Sequence, residues 1–172
     1  MEKILKIKQV DELTDEKFTL LFLNIIEHCP EATEAVVAKR PFFKVENLIN
    51  SYWQYLDELD ENGRINILKS HPDLGCKKDE IKLTNESQFE QVSAGIEKAD
   101  KTDKEILQDY NKLYKEKFTF PFVICARQNM VKDILKAIKM RLKNSKIEEI
   151  KNGIEEVKKI GKLRIMDIVL SD

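Results

Sequence analysis

Along most of the chain, apolar residues recur at alternating steps of three and four, the period of an amphipathic helix. Phe18, Leu21, Phe22, Ile25 and Ile26 share one face of a helix predicted to run to near Pro30. Glu31 to Lys39 reads as a short helix stopped by Pro41. Val45, Leu48, Ile49, Tyr52, Trp53 and Leu56 form a third stripe, closed by the turn sequence DENG. Ile65 and Leu68 fit a short helix that stops at His71, because a proline follows and disfavours helical geometry in the residue before it. After a polar loop, SQFEQVSAGIEKA is predicted helical. The next helix, TDKEILQDYNKLYKEKF, places Ile106, Tyr110, Leu113 and Tyr114 on one side.

FPFVICA breaks the period. A short apolar run behind a proline predicts an extended, buried segment rather than a strand in a sheet. Helix resumes with Ile134, Leu135, Ile138 and Leu142, and a last long helix opens at SKIE, a capping box. Its stripe runs Ile147, Ile150, Ile154, Val157, Gly161, Arg164 and Ile168. With no repeat, low-complexity linker or composition break, the expectation is a single all-α domain over residues 1–172. It is a bundle of about seven or eight helices with one short extended buried segment.

Composition narrows the function classes. Thirty Lys and Arg against 31 Asp and Glu leave a formal charge of −1, so nothing marks a nucleic-acid or anionic-membrane partner. Cys29, Cys76 and Cys125 are few, odd in number and not in CxxC spacing, as in a reduced intracellular protein. No apolar run reaches membrane-spanning length, and neither a signal-peptide core nor a peroxisomal tripeptide is read, so a cytoplasmic protein is expected.

Chemistry gathers at three places. His71 sits at a loop mouth, where an imidazole can act as acid or base near neutrality; closing a helix is its simpler role. The other histidine, His28, reads as structural or solvent-facing. His71, Asp73 and Cys76 on one loop make a poor metal pattern, and Cys76 lacks a nucleophile signature, so no metal is expected. Ser87 and Glu90 have capping-box spacing, and a helix start also offers free N–H groups. With Gln91 they suit a polar ligand that carries both donors and acceptors. Arg164 falls at an inward register position, where it either snorkels to water or aims its fork at a carboxylate.

Taken together, RPF (40–42), HPDLG (71–75), SQFEQ followed by SAGI, YNKLYKEKFTFPFVICAR (110–127) and the C-terminal RLKN…E…KIGKLRI pattern resemble the 2-oxo-4-hydroxy-4-carboxy-5-ureidoimidazoline (OHCU) decarboxylase family. The resemblance spans nearly the whole chain in order. It implies an all-α, usually dimeric enzyme that uses no cofactor and turns OHCU into (S)-allantoin and carbon dioxide. By the same resemblance, His71 is the catalytic histidine and Pro72 its neighbour at the substrate. Ser87, Gln88, Phe89, Glu90 and Gln91 form the ureido-binding stretch, with Glu90 its acidic, catalytic member. Phe122, Val123, Ile124, Cys125 and Ala126 bind the ring through their backbone, and Arg164 is the C-terminal substrate arginine. Thr119 departs from the family, standing where glycine is common. Two other classes compete: an adaptor presenting an apolar groove, and a metal- or thiol-dependent hydrolase of a related ureide.

Overall fold

The computed structural model describes residues 4–76 and 83–170. The polar loop expected after Cys76 falls mainly in 77–82, outside the described residues. Among those described there are nine α-helices and no strand, so the all-α expectation holds. None of these helices is long and apolar enough to cross a membrane. The helices divide between two compact units, one of residues up to Asp60 with those from Lys158 onward, the other Glu61–Val157.

The first unit contains α1 (Ile7–Asp11), α2 (Asp15–Leu21), α3 (Pro30–Val37) and α4 (Val45–Glu58), together with the second half of α9 (Lys146–Ile168). Phe18, Phe22 and Phe42 stack in its core, with centroids 4.5 and 6.0 Å from Phe18. The helix expected to reach Pro30 stops at Leu21 and gives way to turns, ending in His28 at φ 48°. The local reason is that side chains take the backbone acceptors there. Thr33 donates to the Phe22 carbonyl at 2.9 Å and Arg164 to the Asn24 carbonyl at 2.5 Å. Leu5 and Val169 form an isolated parallel bridge, through Leu5 N–H to Ile168 and Leu170 N–H to Leu5, both 2.8 Å.

The second unit contains α5 (Glu61–Lys69), α6 (Asn85–Ser93), α7 (Lys101–Phe118), a 3-10 turn at Ala126–Gln128, α8 (Val131–Arg141) and the first half of α9. On α7 the buried face is Leu107, Asn111, Tyr114 and Phe118; Tyr114 lies inward as expected, whereas the expected Ile106, Tyr110 and Leu113 fall one residue round from that face. The polar Asn111 disguises that face, and it is admitted because its amide donates to the Leu74 carbonyl at 2.9 Å. Ile147, placed on the α9 stripe by periodicity, is 76% exposed. It lies in the first turn, where the capping box forms as expected: Ser145 N–H donates to Glu148 at 2.7 Å and Glu148 N–H to Ser145 Oγ at 3.3 Å.

Tyr114, Phe118, Phe120 and Phe122 form an aromatic cluster around the end of α7. Beneath it lies a buried carboxylate. Glu149 accepts from the Tyr114 hydroxyl, from Arg141 Nε at 2.9 Å, from Asn144 Nδ2 at 2.8 Å and from Asn152 Nδ2 at 2.9 Å. Burial and this carboxylate push the Tyr114 phenol well above its ordinary range, so it stays protonated and donates.

The departure at Thr119 now has a structural meaning. Thr119 caps α7 in the left-handed region, φ 71°, where glycine is normally found and a β-branched residue is strained. Its hydroxyl accepts from Lys146 Nζ at 3.2 Å, an exposed contact of little weight. Thr119→Gly is therefore expected to raise the unfolding free energy by about 1 kcal/mol, after allowing for glycine's freer unfolded chain. Urea titration of the two proteins checks it; equal midpoints would show that the strain is compensated.

Candidate active site

His71 follows α5, with its N–H bonded to the Leu68 carbonyl at 3.2 Å, and only 8% of its surface is exposed. Its Nδ1 lies 2.8 Å from the Ile67 carbonyl. A carbonyl only accepts, so Nδ1 carries the hydrogen, and in the neutral ring Nε2 holds the lone pair. Both readings of this histidine are therefore compatible: it closes a helix and presents a defined tautomer.

The loop it begins is tied down residue by residue. Asp73 pairs with Lys115 at 2.9 Å, and the Leu74 carbonyl accepts from Asn111. Gly75, at φ 73°, donates its N–H to Gln91 Oε1 at 2.9 Å. A side chain at Gly75 would be strained at that φ and would also meet Leu107 at 3.2 Å and Ile96 at 3.4 Å. Gln91 thus fastens α6 to the histidine loop. Beside that fastening lies a cavity of about 410 Å3 lined in part by Leu74, Gly75, Gln88, Gln91 and Leu107.

Helix α6 begins earlier than its sequence suggested. Thr84 is the N-cap and accepts from Ser87 N–H at 3.2 Å, so the Ser87–Glu90 capping box is replaced by a cap three residues upstream. Thr84 wins because the helix pattern extends back through Asn85 and Glu86, placing Ser87 inside the first turn. Ser87, Glu90 and Gln91 face inward and are buried. Gln88 is half-buried, and Phe89 is 59% exposed, its ring under the Arg127 guanidinium at 5.5 Å.

Phe122 to Cys125 is irregular, extended chain and buried, as expected of FPFVICA, and Ala126, also buried, opens the 3-10 turn. Side chains hold its backbone: Arg141 Nη1 donates to the Val123 carbonyl, and Cys125 N–H donates to Glu156 Oε2, each at 2.8 Å. Asn129 donates to the Cys125 carbonyl at 2.9 Å. Burial raises the Cys125 thiol pKa, and the nearby charges of Glu156 and Glu90 push it further the same way. That thiol is no thiolate nucleophile at neutral pH. The same influence places Glu90 of α6 near this segment, which packs its 3-10 end against α6.

The second unit therefore brings the His71 loop, α6 and residues 122–126 together. Arg164 belongs to the first unit. It neither snorkels nor meets solvent: it is 3% exposed, and its Nη1 donates to Glu27 Oε2 at 2.7 Å. Among the described residues no cluster of three or more His, Cys, Asp or Glu could hold a metal.

The OHCU decarboxylase family model matches residues 11–166. This chain belongs to the OHCU decarboxylase family. It is 41% identical to the OHCU decarboxylase of Xenopus laevis, over 95% of this chain and 94% of that one. It is 37% identical to that of Mus musculus, over 94% and 91%. The fold is shared with a crystal structure of an OHCU decarboxylase determined in the presence of (S)-allantoin (TM-score 0.71, 22% identity, 90% of this chain and 97% of that one). It is shared also with an (S)-allantoin synthase (TM-score 0.70, 18% identity, 96% and 54%).

Three supporting residues escaped the sequence reading. Arg141 and Glu156 look like ordinary charged positions on helical surfaces, and Glu27 follows an apolar run that predicted more helix. Asn111 was missed as well, since its polarity hid the inward face of α7.

The relocated cap makes a direct prediction. Thr84→Ala should lower the unfolding free energy by about 1 kcal/mol, whereas Glu90→Ala should leave the α6 start intact. Helical content near the cap, followed by amide exchange of Ser87 in both variants, tests this. Faster exchange in Glu90→Ala than in Thr84→Ala would return the cap to the original pair.

Proposed function

We propose that this chain decarboxylates OHCU to (S)-allantoin and carbon dioxide in urate degradation, as a cytoplasmic homodimer that needs neither cofactor nor metal, with residues 1–172 serving as one functional domain. The observation that carries the reading is the family match across residues 11–166 in a chain whose His71, α6 and 122–126 motifs converge in one unit.

The chemistry suits such a site. Breaking the bond to carbon dioxide leaves an electron pair, which forms a double bond to the neighbouring ring carbon as the ring C=N electrons move onto nitrogen. The substrate thus supplies its own sink. The ring nitrogen takes up a proton, the enol-like intermediate takes another at the ureido-bearing carbon, and its hydroxyl gives one up to form a carbonyl, so that one proton is consumed for each carbon dioxide released. His71, neutral and held by the Ile67 carbonyl, offers Nε2 to that hydroxyl and takes its proton. Ser87, Gln88, Phe89, Glu90 and Gln91 provide the ureido-binding stretch and Pro72 a wall beside the histidine. Gln91 acts partly through its hold on Gly75. Backbone groups of Phe122, Val123, Ile124, Cys125 and Ala126 receive the ring. The Val123 carbonyl and Cys125 N–H are already engaged by Arg141 and Glu156, so the neighbouring peptide groups carry that contact. Arg164 takes the carboxylate. Immobilising the reactant in this way converts binding into rate.

The test is carbon dioxide release from freshly generated OHCU, with optical rotation following the excess of (S)-allantoin. His71→Ala should retain its circular dichroism spectrum and lose roughly 10²–10⁴-fold in turnover, the usual contribution of a general acid or base. A folded variant with native turnover would remove His71 from the mechanism. Dialysis against a chelator should leave wild-type turnover unchanged; loss restored by one metal would favour the hydrolase reading.

A further inference from the structure

Arg164 is held in an unusual way for a residue on an apolar stripe. Its Nη1 donates to the Asn24 carbonyl at 2.5 Å and to Glu27 Oε2 at 2.7 Å, so one nitrogen of the guanidinium meets two fixed acceptors. Glu27 is fully buried, with no exposed surface. Its other oxygen, Oε1, lies 3.8 Å from His28 Nε2, and His28 itself is in the left-handed region.

The surrounding backbone is shaped to allow this. Gly161, one turn before Arg164, lies so close to the 24–28 turns that an added Cβ would sit 3.3 Å from the Ile25 carbonyl oxygen. Four features, the early end of α2, the turn at His28, Gly161 and Glu27, thus act on one side chain. Stability alone is a weak explanation. A buried ion pair is commonly matched or bettered by apolar residues of the same volume, and the other buried positions around it on α9 include Val157, Ile160 and Ile165. What the pair supplies is a fixed orientation and a balancing charge for a buried guanidinium.

We infer that Glu27 is a positioning residue of the reaction, holding Arg164 in the orientation from which it grips the substrate carboxylate. The inference rests on the proposed role of Arg164 and adds to it the carboxylate that aims it. Because the product has lost its carboxylate, the effect of Glu27 is confined to the substrate. That selectivity separates positioning from general support of the fold, which would weaken both ligands.

The experiment compares wild type, Glu27→Gln, Arg164→Lys and the double variant, all assayed below their unfolding midpoints. Glu27→Gln keeps the shape and a hydrogen-bond acceptor but removes the charge. It is expected to raise KM for OHCU roughly tenfold to a hundredfold, while inhibition by added (S)-allantoin stays within about twofold of wild type. The double variant should be no worse than Arg164→Lys alone, since both changes break one unit. If Glu27→Gln does not fold, the same two numbers are read on Glu27→Asp, which keeps the charge and retracts it by one methylene. Native kcat/KM in the Glu27 variant with an impaired Arg164→Lys would overturn the inference and leave the arginine's role standing. Native kcat/KM in Arg164→Lys would overturn that role and the inference with it. Equal weakening of OHCU and (S)-allantoin would show that Glu27 only supports the fold.

Discussion

Glu149 is a carboxylate without exposed surface, and four donors from three helices and the turn after α8 converge on it. Removing an ion from water is costly unless every lone pair finds a partner, so the group dictates where its neighbours stand. Tyr114 is fixed on α7 and Arg141 at the end of α8. Arg141 in turn reaches the Val123 carbonyl and lies over the Phe122 ring at 4.5 Å. The extended segment 122–126 therefore inherits its position from a charge buried behind it. An irregular peptide in a helical unit would otherwise leave its N–H and C=O groups without partners.

The same logic governs the histidine loop. No regular element holds residues 71–76. Three side chains from α6 and α7 do so instead: Gln91 on Gly75, Asn111 on Leu74 and Lys115 on Asp73. A rigid helical scaffold carries the loop, and the loop carries the imidazole. Motifs far apart in the chain meet because polar side chains on helices reach the backbone of the segments between them.

Much of this was legible in the residues. Periodicity located α2 to α9, though α1 went unread and DENG, read as a turn, gives Glu61 to Gly63 to the start of α5. The proline placed His71 at a helix end, and FPFVICA stood out as extended. The failures share a cause. Hydrophobic stripes mark the buried face only when that face is apolar, and here buried polar groups define it. Asn111 shifted the α7 face by one residue, and Ile147 was assigned to a core it does not enter. The end of α2 was missed because Thr33 and Arg164, 11 and 140 residues from their acceptors, take carbonyls that a local reading assigns to helix. Of the proposed site residues, His71, Ser87, Glu90, Gln91 and Arg164 drew attention by their own chemistry, and the others through motif resemblance. Their supporting carboxylates, Glu27 and Glu156, resemble any surface glutamate in sequence.

The bridge between Leu5 and Val169 has a consequence for the order of synthesis. The second unit is one continuous stretch of chain and contains all its own parts by Val157. The first is assembled from the two ends of the sequence, so Phe18, Phe22 and Phe42 are made early while α9 reaches Val169 last. On the ribosome, a contiguous unit can fold as it emerges, whereas this one is complete only after the second half of α9 has been made. The N-terminal helices, although made first, thus belong to the unit whose chain is completed last.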